Sequence, residues 1–321
     1  MSEEWGPDVL GDPFRQRTLA LGEDAVATLV RSLPNRLATA FAPLRDVDVL
    51  YVHGWSDYFF QTGLARFWTE RGARFFALDL RGYGRSLRDG QTPGYVTSLD
   101  VYDADIAAAI ETIRTGRPRR LVLMGHSTGG LILTLWAARH PRAASALVLN
   151  SPWLELQLGA FGRQALTPLV RAAARVDPMG RHPEVDLGFY TRAQRELGTL
   201  PELQGHEAWR PERGFPTHPG WLAAILAGHA TVADGIDVGC PAYVMLSDTW
   251  TSPLQWSDAM TASDSVLDVD DIARAATRIG SLVTIARIPG AIHDVFLSAP
   301  GPRAKAYDGL DRWLTGGALA R

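Results

Sequence analysis

Apolar runs of strand length alternate along this chain with segments of helical length, and this alternation constrains the fold more than any other feature. Two β-like stretches come first, at 14–21 and 25–33. The buried strands predicted after them are 47–52, 74–78, 120–124, 146–149, 242–246 and 282–288, and the helices between them end near Arg71 or span 99–115, 131–140, 268–279 and 303–314. Such alternation predicts an α/β fold, with a mostly parallel sheet covered by helices on both faces.

The alternation stops between 151 and 234, where the sequence is rich in Pro, Gly, Trp and helical patches. Open α/β sheets place their sites at the carboxyl ends of the strands, so we interpret this segment as a mainly helical cap over that edge. A length of 321 residues fits one core with one sizeable insertion. The predicted organisation is a core formed by 1–150 and 236–321 and a cap formed by 151–235.

The strongest chemical signal is the motif Gly125-His126-Ser127-Thr128-Gly129-Gly130, which matches G-x-S-x-G between a predicted strand and a predicted helix. A serine at such a sharp turn has its hydroxyl lifted above the sheet, at a helix N-terminus that favours developing negative charge. The flanking glycines relieve the crowding of the strained backbone. This context predicts that Ser127 is a nucleophile.

A serine nucleophile needs a base, usually histidine, which a carboxylate orients. Among eight histidines, only His293 follows a late strand on a loop that returns over the sheet edge. The others fall in the predicted cap, at a helix end, in an earlier motif, or beside the nucleophile: His182, His206, His218, His229, His140, His53 and His126. We expect the side chain of His126 to point away from the base. The predicted base is therefore His293.

The carboxylate is less tightly constrained by the sequence. Asp248 directly follows strand 242–246, but 45 residues separate it from His293, and 249–261 resembles an inserted loop. Asp264 precedes His293 by 29 residues and lies just ahead of the helix that leads to the last strand. Asp264 is the predicted acid; Asp248 and Asp268 remain alternatives.

Acyl transfer also needs two donors for an oxyanion, usually backbone N–H groups. One is expected from Thr128, which follows the nucleophile, and the other from Trp55, in the turn after strand 47–52. Trp55 and His126, with Trp153 and Phe161 of the cap, are the predicted substrate-binding residues. The aromatic cap residues are equally compatible with the cap's own core.

Three motifs together resemble the monoacylglycerol lipase and lysophospholipase branch of the α/β hydrolases, also described as serine aminopeptidase-like. They are the serine motif, His53-Gly54, and Asp79-Leu80-Arg81-Gly82-Tyr83-Gly84-Arg85-Ser86. The resemblance covers 47–150 and 240–314, and the branch's Asp-x-x-x-Asp pattern matches Asp264 to Asp268. It implies an α/β-hydrolase fold, no cofactor and an ester substrate. The long stretch from Asp248 to Thr261 departs from the pattern.

The function that these residues favour is hydrolysis of a small-molecule acyl ester through an acyl-enzyme. An aminopeptidase, amidase or lactonase would use the same residues, and an aminopeptidase would need cap carboxylates such as Glu155 or Glu184 to bind an amine. A catalytically silent binding protein of the same fold is the alternative outside enzymes. Chemistry that requires an aspartate nucleophile is excluded by Ser127.

Composition and charge exclude several other classes. The net charge is −3 and there is no basic run, so a nucleic acid partner is not expected. No stretch approaches about 18 uninterrupted apolar residues, so no membrane span is expected. The first residues lack a signal-peptide pattern, which favours a cytoplasmic protein. A single cysteine, Cys240, rules out an intramolecular disulfide, and no metal is needed for stability.

Overall fold

The computed structural model describes residues 4–22, 25–114, 117–157, 159–180, 186–201 and 205–319. Within these residues a single sheet runs through the molecule. Its strands are β1 (Gly6–Pro7), β2 (Arg15–Ala20), β3 (Val26–Ser32), β4 (Val47–Val52), β5 (Arg74–Asp79), β6 (Arg120–His126), β7 (Ala146–Asn150), β8 (Ala242–Ser247) and β9 (Val283–Ile288). The helices are α1 (Thr62–Glu70), α2 (Tyr102–Ile113), α3 (Ser127–Arg139), α4 (Gly159–Val176), α5 (Phe189–Glu196), α6 (Pro219–Asp234), α7 (Val269–Ala276) and α8 (Pro300–Trp313).

The sheet has the strand order β1-β2-β3-β5-β4-β6-β7-β8-β9. The first three strands pair antiparallel, as do β3 and β5, whereas every pair from β5 to β9 is parallel. All residues of β4, β7 and β8 are buried, as expected for strands covered on both faces. The prediction of a mostly parallel α/β sheet is confirmed.

Two apolar clusters fill the space on the two faces of the sheet. Along β4, Leu50 and Val52 point into the cluster that includes α2, α3 and α7, while Val49 and Tyr51 point into the cluster that includes α1 and α8. This division follows from the period of two along a strand. The five helices therefore cover both faces and leave the carboxyl edge of the parallel strands open to the loops.

Two helices differ from the sequence-based prediction. Helix α3 begins at Ser127, four residues before the predicted start, because Gly129 and Gly130 lie in its first turn in spite of their low helix propensity. Helix α5 was not predicted: it has only 8 residues and most of them are polar, so its apolar positions are too few to mark a helix in the sequence.

The segment between β7 and β8 carries α4, α5 and α6, and its described residues contain no strand. Helix α6 packs on α4 and on α3, and Trp221 and Ile225 belong to the same apolar cluster as Leu131 of the core. The packing of this segment is thus continuous with that of the core at α6. In the part of the chain that the structure describes, no helix has both the length and the apolarity to cross a membrane.

Candidate active site

Ser127 lies at the turn from β6 into α3 and has a positive φ of 50°. This conformation is uncommon for a residue with a side chain and is usual at strained functional turns. The turn also requires glycine neighbours. A Cβ at Gly129 would lie 2.3 Å from the carbonyl oxygen of His53, and one at Gly125 would lie 2.7 Å from that of Gly129. The glycines of the motif are therefore explained by close backbone approach.

His293 follows β9 on a loop and is 3% exposed. Its Nδ1 lies 2.8 Å from Oδ2 of Asp264, which is fully buried. Because an ionised carboxylate only accepts hydrogen bonds, Nδ1 carries the hydrogen and Nε2 is left as an acceptor. Oδ1 of Asp264 accepts the backbone N–H groups of Val266 and Leu267, at 2.7 and 2.9 Å, which fix the carboxylate. The structure thus brings His293 and Asp264 together.

The loop after β8 explains how Asp264 reaches this place. The N–H of Asp264 donates to the carbonyl of Thr249 at 3.0 Å, and its carbonyl accepts the N–H of Thr251 at 2.8 Å. Residues 252–263 therefore form a loop that returns to the end of β8. Asp264 lies beside the residues that directly follow this strand, in spite of the long insertion.

The two alternative carboxylates make other contacts. Asp248, half-buried, accepts the N–H of Gly290 at 3.3 Å. Asp268 is the N-cap residue of α7, where it accepts the N–H groups of Asp270 and Asp271. Neither of these contacts involves the imidazole of His293, and the contacts of Asp268 are those of an ordinary helix cap.

The loop after β4 lies directly beside the serine. A Cβ on Gly54 would be 3.1 Å from Cβ of Ser127 and 3.1 Å from Cδ2 of His126. Trp55 is the next residue in this loop, and Thr128 lies in the first turn of α3, where backbone N–H groups have no partner within the helix. The two predicted oxyanion donors are therefore on the two segments that flank Ser127.

His126 differs from the expectation that its side chain points away from the base. It is 3% exposed, and its ring centroid lies 4.9 Å from that of His293. Its Nδ1 lies 3.1 Å from the carbonyl oxygen of Asn150, which anchors the ring. Burial lowers the pKa of His126 to about 4, so its imidazole is neutral near pH 7.

Tryptophan side chains gather beside the elbow. The ring centroids of Trp55 and Trp221 are 3.8 Å apart, and Trp153 lies 6.0 Å from Trp221. The backbone N–H of Trp153 donates to the carbonyl oxygen of Ser127 at 3.0 Å, which attaches this residue to the turn at Ser127. Phe161 is a correction to the predicted pocket: it is 86% exposed on the outer side of α4, away from this cluster, because the inner side of that helix packs against α6.

Sequence reasoning missed the carboxylate next to the base. Asp294 is 1% exposed, and its side chain accepts hydrogen bonds from Asn150 at 2.7 Å and from Gln61 at 3.1 Å. Oδ1 of Asn150 in turn accepts the N–H of Val295 at 3.1 Å. These contacts fix the loop that carries His293. The only available signals were an acid adjacent to His293 and an asparagine at the end of a buried strand.

Of the two carboxylates named for an amine site, Glu155 is buried and already paired with Arg163 at 2.8 Å. Glu184, like His182, lies outside the described residues.

Residues 45–200 match the family model described as serine aminopeptidase, S33. Among curated proteins, lysophospholipase L2 of Escherichia coli (strain K12) is 27% identical over 258 residues, which cover 74% of this chain and 72% of that protein. A monoacylglycerol lipase of Mycolicibacterium smegmatis is 29% identical over 147 residues, or 40% of this chain and 49% of that protein.

Two solved structures show the same fold. A soluble variant of monoglyceride lipase from Saccharomyces cerevisiae, in complex with a substrate analog, has a TM-score of 0.66 at 16% identity and covers 94% of this chain and 95% of that chain. The monoacylglycerol lipase of Paleococcus ferrophilus has a TM-score of 0.63 at 18% identity, with coverage of 90% and 98%.

Proposed function

Because the chain belongs to the α/β hydrolases, in their monoacylglycerol lipase and lysophospholipase branch, we propose that it is a serine hydrolase that cleaves carboxylic esters through an acyl-enzyme. The curated relatives are named as a lysophospholipase and a monoacylglycerol lipase, which supports an ester rather than an amide or lactone substrate. Residues 151–235 act in this proposal as a cap over the site.

In this proposal Ser127, His293 and Asp264 form the catalytic triad. Nε2 of His293 takes the hydroxyl proton as Oγ of Ser127 attacks the ester carbonyl, and Asp264 stabilises the resulting imidazolium. The N–H groups of Trp55 and Thr128 stabilise the oxyanion of the tetrahedral intermediate. His293 then protonates the leaving alcohol, which gives the acyl-enzyme. In deacylation His293 takes a proton from the water that attacks the acyl group, and it returns this proton to Oγ of Ser127 as the acid is released.

The observation that carries this proposal is the buried hydrogen bond between Asp264 and Nδ1 of His293, at 2.8 Å. It orients the ring so that Nδ1 is the donor to Asp264, and in the neutral imidazole Nε2 is then the acceptor that a serine nucleophile requires.

We assign the tryptophans beside the elbow to the acyl pocket. Trp55 follows Gly54, which lies against Ser127, and the backbone N–H of Trp153 donates to the carbonyl oxygen of Ser127. Indole rings provide large apolar surfaces that bind acyl or aryl groups. We assign His126 to the same pocket because its Cδ2 lies beside Gly54, the neighbour of Trp55, and its ring lies beside that of His293.

The test uses purified protein, a fluorophosphonate probe, and p-nitrophenyl esters of graded chain length beside aminoacyl-nitroanilides. We expect labelling and ester hydrolysis by the wild type, with both lost in Ser127→Ala. Faster cleavage of the nitroanilides would support the aminopeptidase alternative instead. Folded wild-type protein that neither binds the probe nor cleaves an ester would refute the proposal in favour of a silent binding protein.

A further inference from the structure

Arg210 is a buried cation of the cap that the mechanism does not use. It follows the short helical turn Glu207–Trp209 and is 9% exposed. Its Nε donates to Oδ1 of Asp57 at 3.2 Å, and its Nη2 donates to Oε1 of Gln194. Asp57 lies two residues after Trp55, so this ion pair joins the cap to the loop of the proposed oxyanion donor.

The same set of contacts reaches the loop of the base. Gln194, on α5, is 1% exposed and donates from Nε2 to the hydroxyl oxygen of Tyr190 at 3.1 Å. The backbone N–H of Asp294 donates to that same oxygen at 3.1 Å. The ring of Tyr190 stands edge-on to the imidazole of His293, with centroids 5.4 Å apart. A continuous polar chain thus runs from Asp57 through Arg210, Gln194 and Tyr190 to Asp294.

The members of this polar network depend on one another for compensation of charge. A buried guanidinium is tolerated when it is paired and hydrogen-bonded, and removal of one partner leaves the other charge uncompensated. Burial raises the pKa of Asp57 to about 7, and Arg210 opposes that increase. On the side of the sheet, the loop that carries His293 is fixed by the hydrogen bonds that Asn150 and Gln61 donate to the carboxylate of Asp294. On the side of α5, it is fixed by the hydroxyl of Tyr190, which accepts the backbone N–H of Asp294.

We propose, on the premise of the serine hydrolase function, that Arg210 is a positioning residue that keeps the oxyanion loop and the base loop in register with each other. It acts on Trp55 through Asp57 and on His293 through Gln194 and Tyr190. Small displacements of reacting groups reduce turnover steeply. The contribution therefore appears in kcat and leaves substrate binding nearly unchanged.

The experiment compares Arg210→Met, Arg210→Lys and Tyr190→Phe, with Arg195→Met as the matched control. Arg195 is also a cap arginine, but its side chain is 54% exposed, and it pairs with Glu212. For each variant we measure kcat and KM on one p-nitrophenyl ester, normalised to the fluorophosphonate-titrated site, and the thermal unfolding midpoint.

We expect Arg210→Met and Tyr190→Phe to lower kcat roughly ten- to a hundredfold with KM within about threefold, because both loops lose register. Arg210→Lys recovers part of the loss, and Arg195→Met matches the wild type.

Normalisation to titrated sites separates positioning from folding. If Arg210→Met reduces only the titrated fraction, with kcat per site unchanged, the residue is structural and the inference is wrong. If Arg210→Met does not fold, Tyr190→Phe, which keeps the ring, decides the question alone: a wild-type kcat overturns the inference. A wild type that cannot be labelled refutes the hydrolase function itself, a result distinct from either.

Discussion

Backbone strain in this protein concentrates at the carboxyl edge of the sheet. Among the described residues, the non-glycine residues with positive φ are Ser56, Ser127, Arg142 and Ser151. The three serines follow β4, β6 and β7, at the edge where the site lies, and each such conformation costs on the order of 1–3 kcal/mol. The surrounding hydrogen bonds must offset this cost.

At residue scale the sharpest prediction concerns the acid. Asp264→Asn leaves an amide beside Nδ1 of His293, which favours the wrong tautomer, and we expect kcat for an ester to fall by about 10³- to 10⁴-fold. Asp248→Asn, the matched control at the end of β8, is expected to stay within a few-fold of the wild type. Steady-state kinetics on titrated enzyme checks both. A larger loss from Asp248→Asn than from Asp264→Asn would contradict the assignment.

At the scale of elements, the strand–turn–helix unit of β6 and α3 is the most tightly constrained part of the site. Its glycines let α3 approach the end of β4 so closely that no Cβ fits at Gly129. Helix α5 is held differently. The ring of Phe189 packs edge-on against Trp256, in the loop after β8, with ring centroids 6.1 Å apart. The guanidinium carbon of Arg192 lies 3.8 Å from the centroid of the same Trp256 ring. The inserted loop therefore supports the helix that contacts His293.

Gly129→Ala tests the elbow. Its Cβ would lie 2.3 and 2.5 Å from the carbonyl oxygens of His53 and Val52, so the backbone must shift. We expect the free energy of unfolding to fall by about 3 kcal/mol, as for other overpacked sites. Gly301→Ala, in α8, meets no atom within 4 Å and is expected to leave stability unchanged or slightly raised. Urea titrations measure both. Equal stability of the two variants would show that the elbow tolerates a side chain.

At the scale of the whole molecule, α6 connects the segment between β7 and β8 with α3 and with the turn that carries Ser127. His229 is fully buried on α6, and its Nε2 lies 2.9 Å from the carbonyl oxygen of Trp153. The backbone N–H of Trp153 in turn donates to the carbonyl oxygen of Ser127. Burial lowers the pKa of His229 from 6.5 to about 3, so the native protein keeps this imidazole neutral. Protonation of this side chain therefore favours the unfolded state.

A pH dependence of stability follows. Below pH 6.5 the unfolded chain binds a proton at His229 that the native state refuses until about pH 3, so stability falls as pH falls through this range. The loss between pH 7 and pH 5 is on the order of 2 kcal/mol. His229→Gln should reduce the decrease by about that amount. Urea unfolding at pH 5, 6 and 7 measures these slopes; an unchanged slope in His229→Gln would contradict the prediction.

Much of the fold was predictable because buried parallel strands are short, continuous apolar runs. The strand 47–52 was predicted with its observed bounds, and the strands ending at Met124 and Leu149 extend only one or two residues further. Helix α5 and the first turn of α3 were not predicted, because neither contains a continuous apolar pattern. Helix α5 is short and mostly polar, and the first turn of α3 contains two glycines, so local propensity does not mark either as helical.

The sequence by itself determined the alternating sheet and the Ser127 elbow, because both depend on local spacing along a few consecutive residues. Only the tertiary structure decided which carboxylate meets His293, that His126 faces the same ring, and that Phe161 is exposed to solvent. It also revealed Asp294 and the chain of contacts through Arg210. These are relations between residues separated by tens to hundreds of positions, and only the packing of loops at one edge of the sheet brings them together.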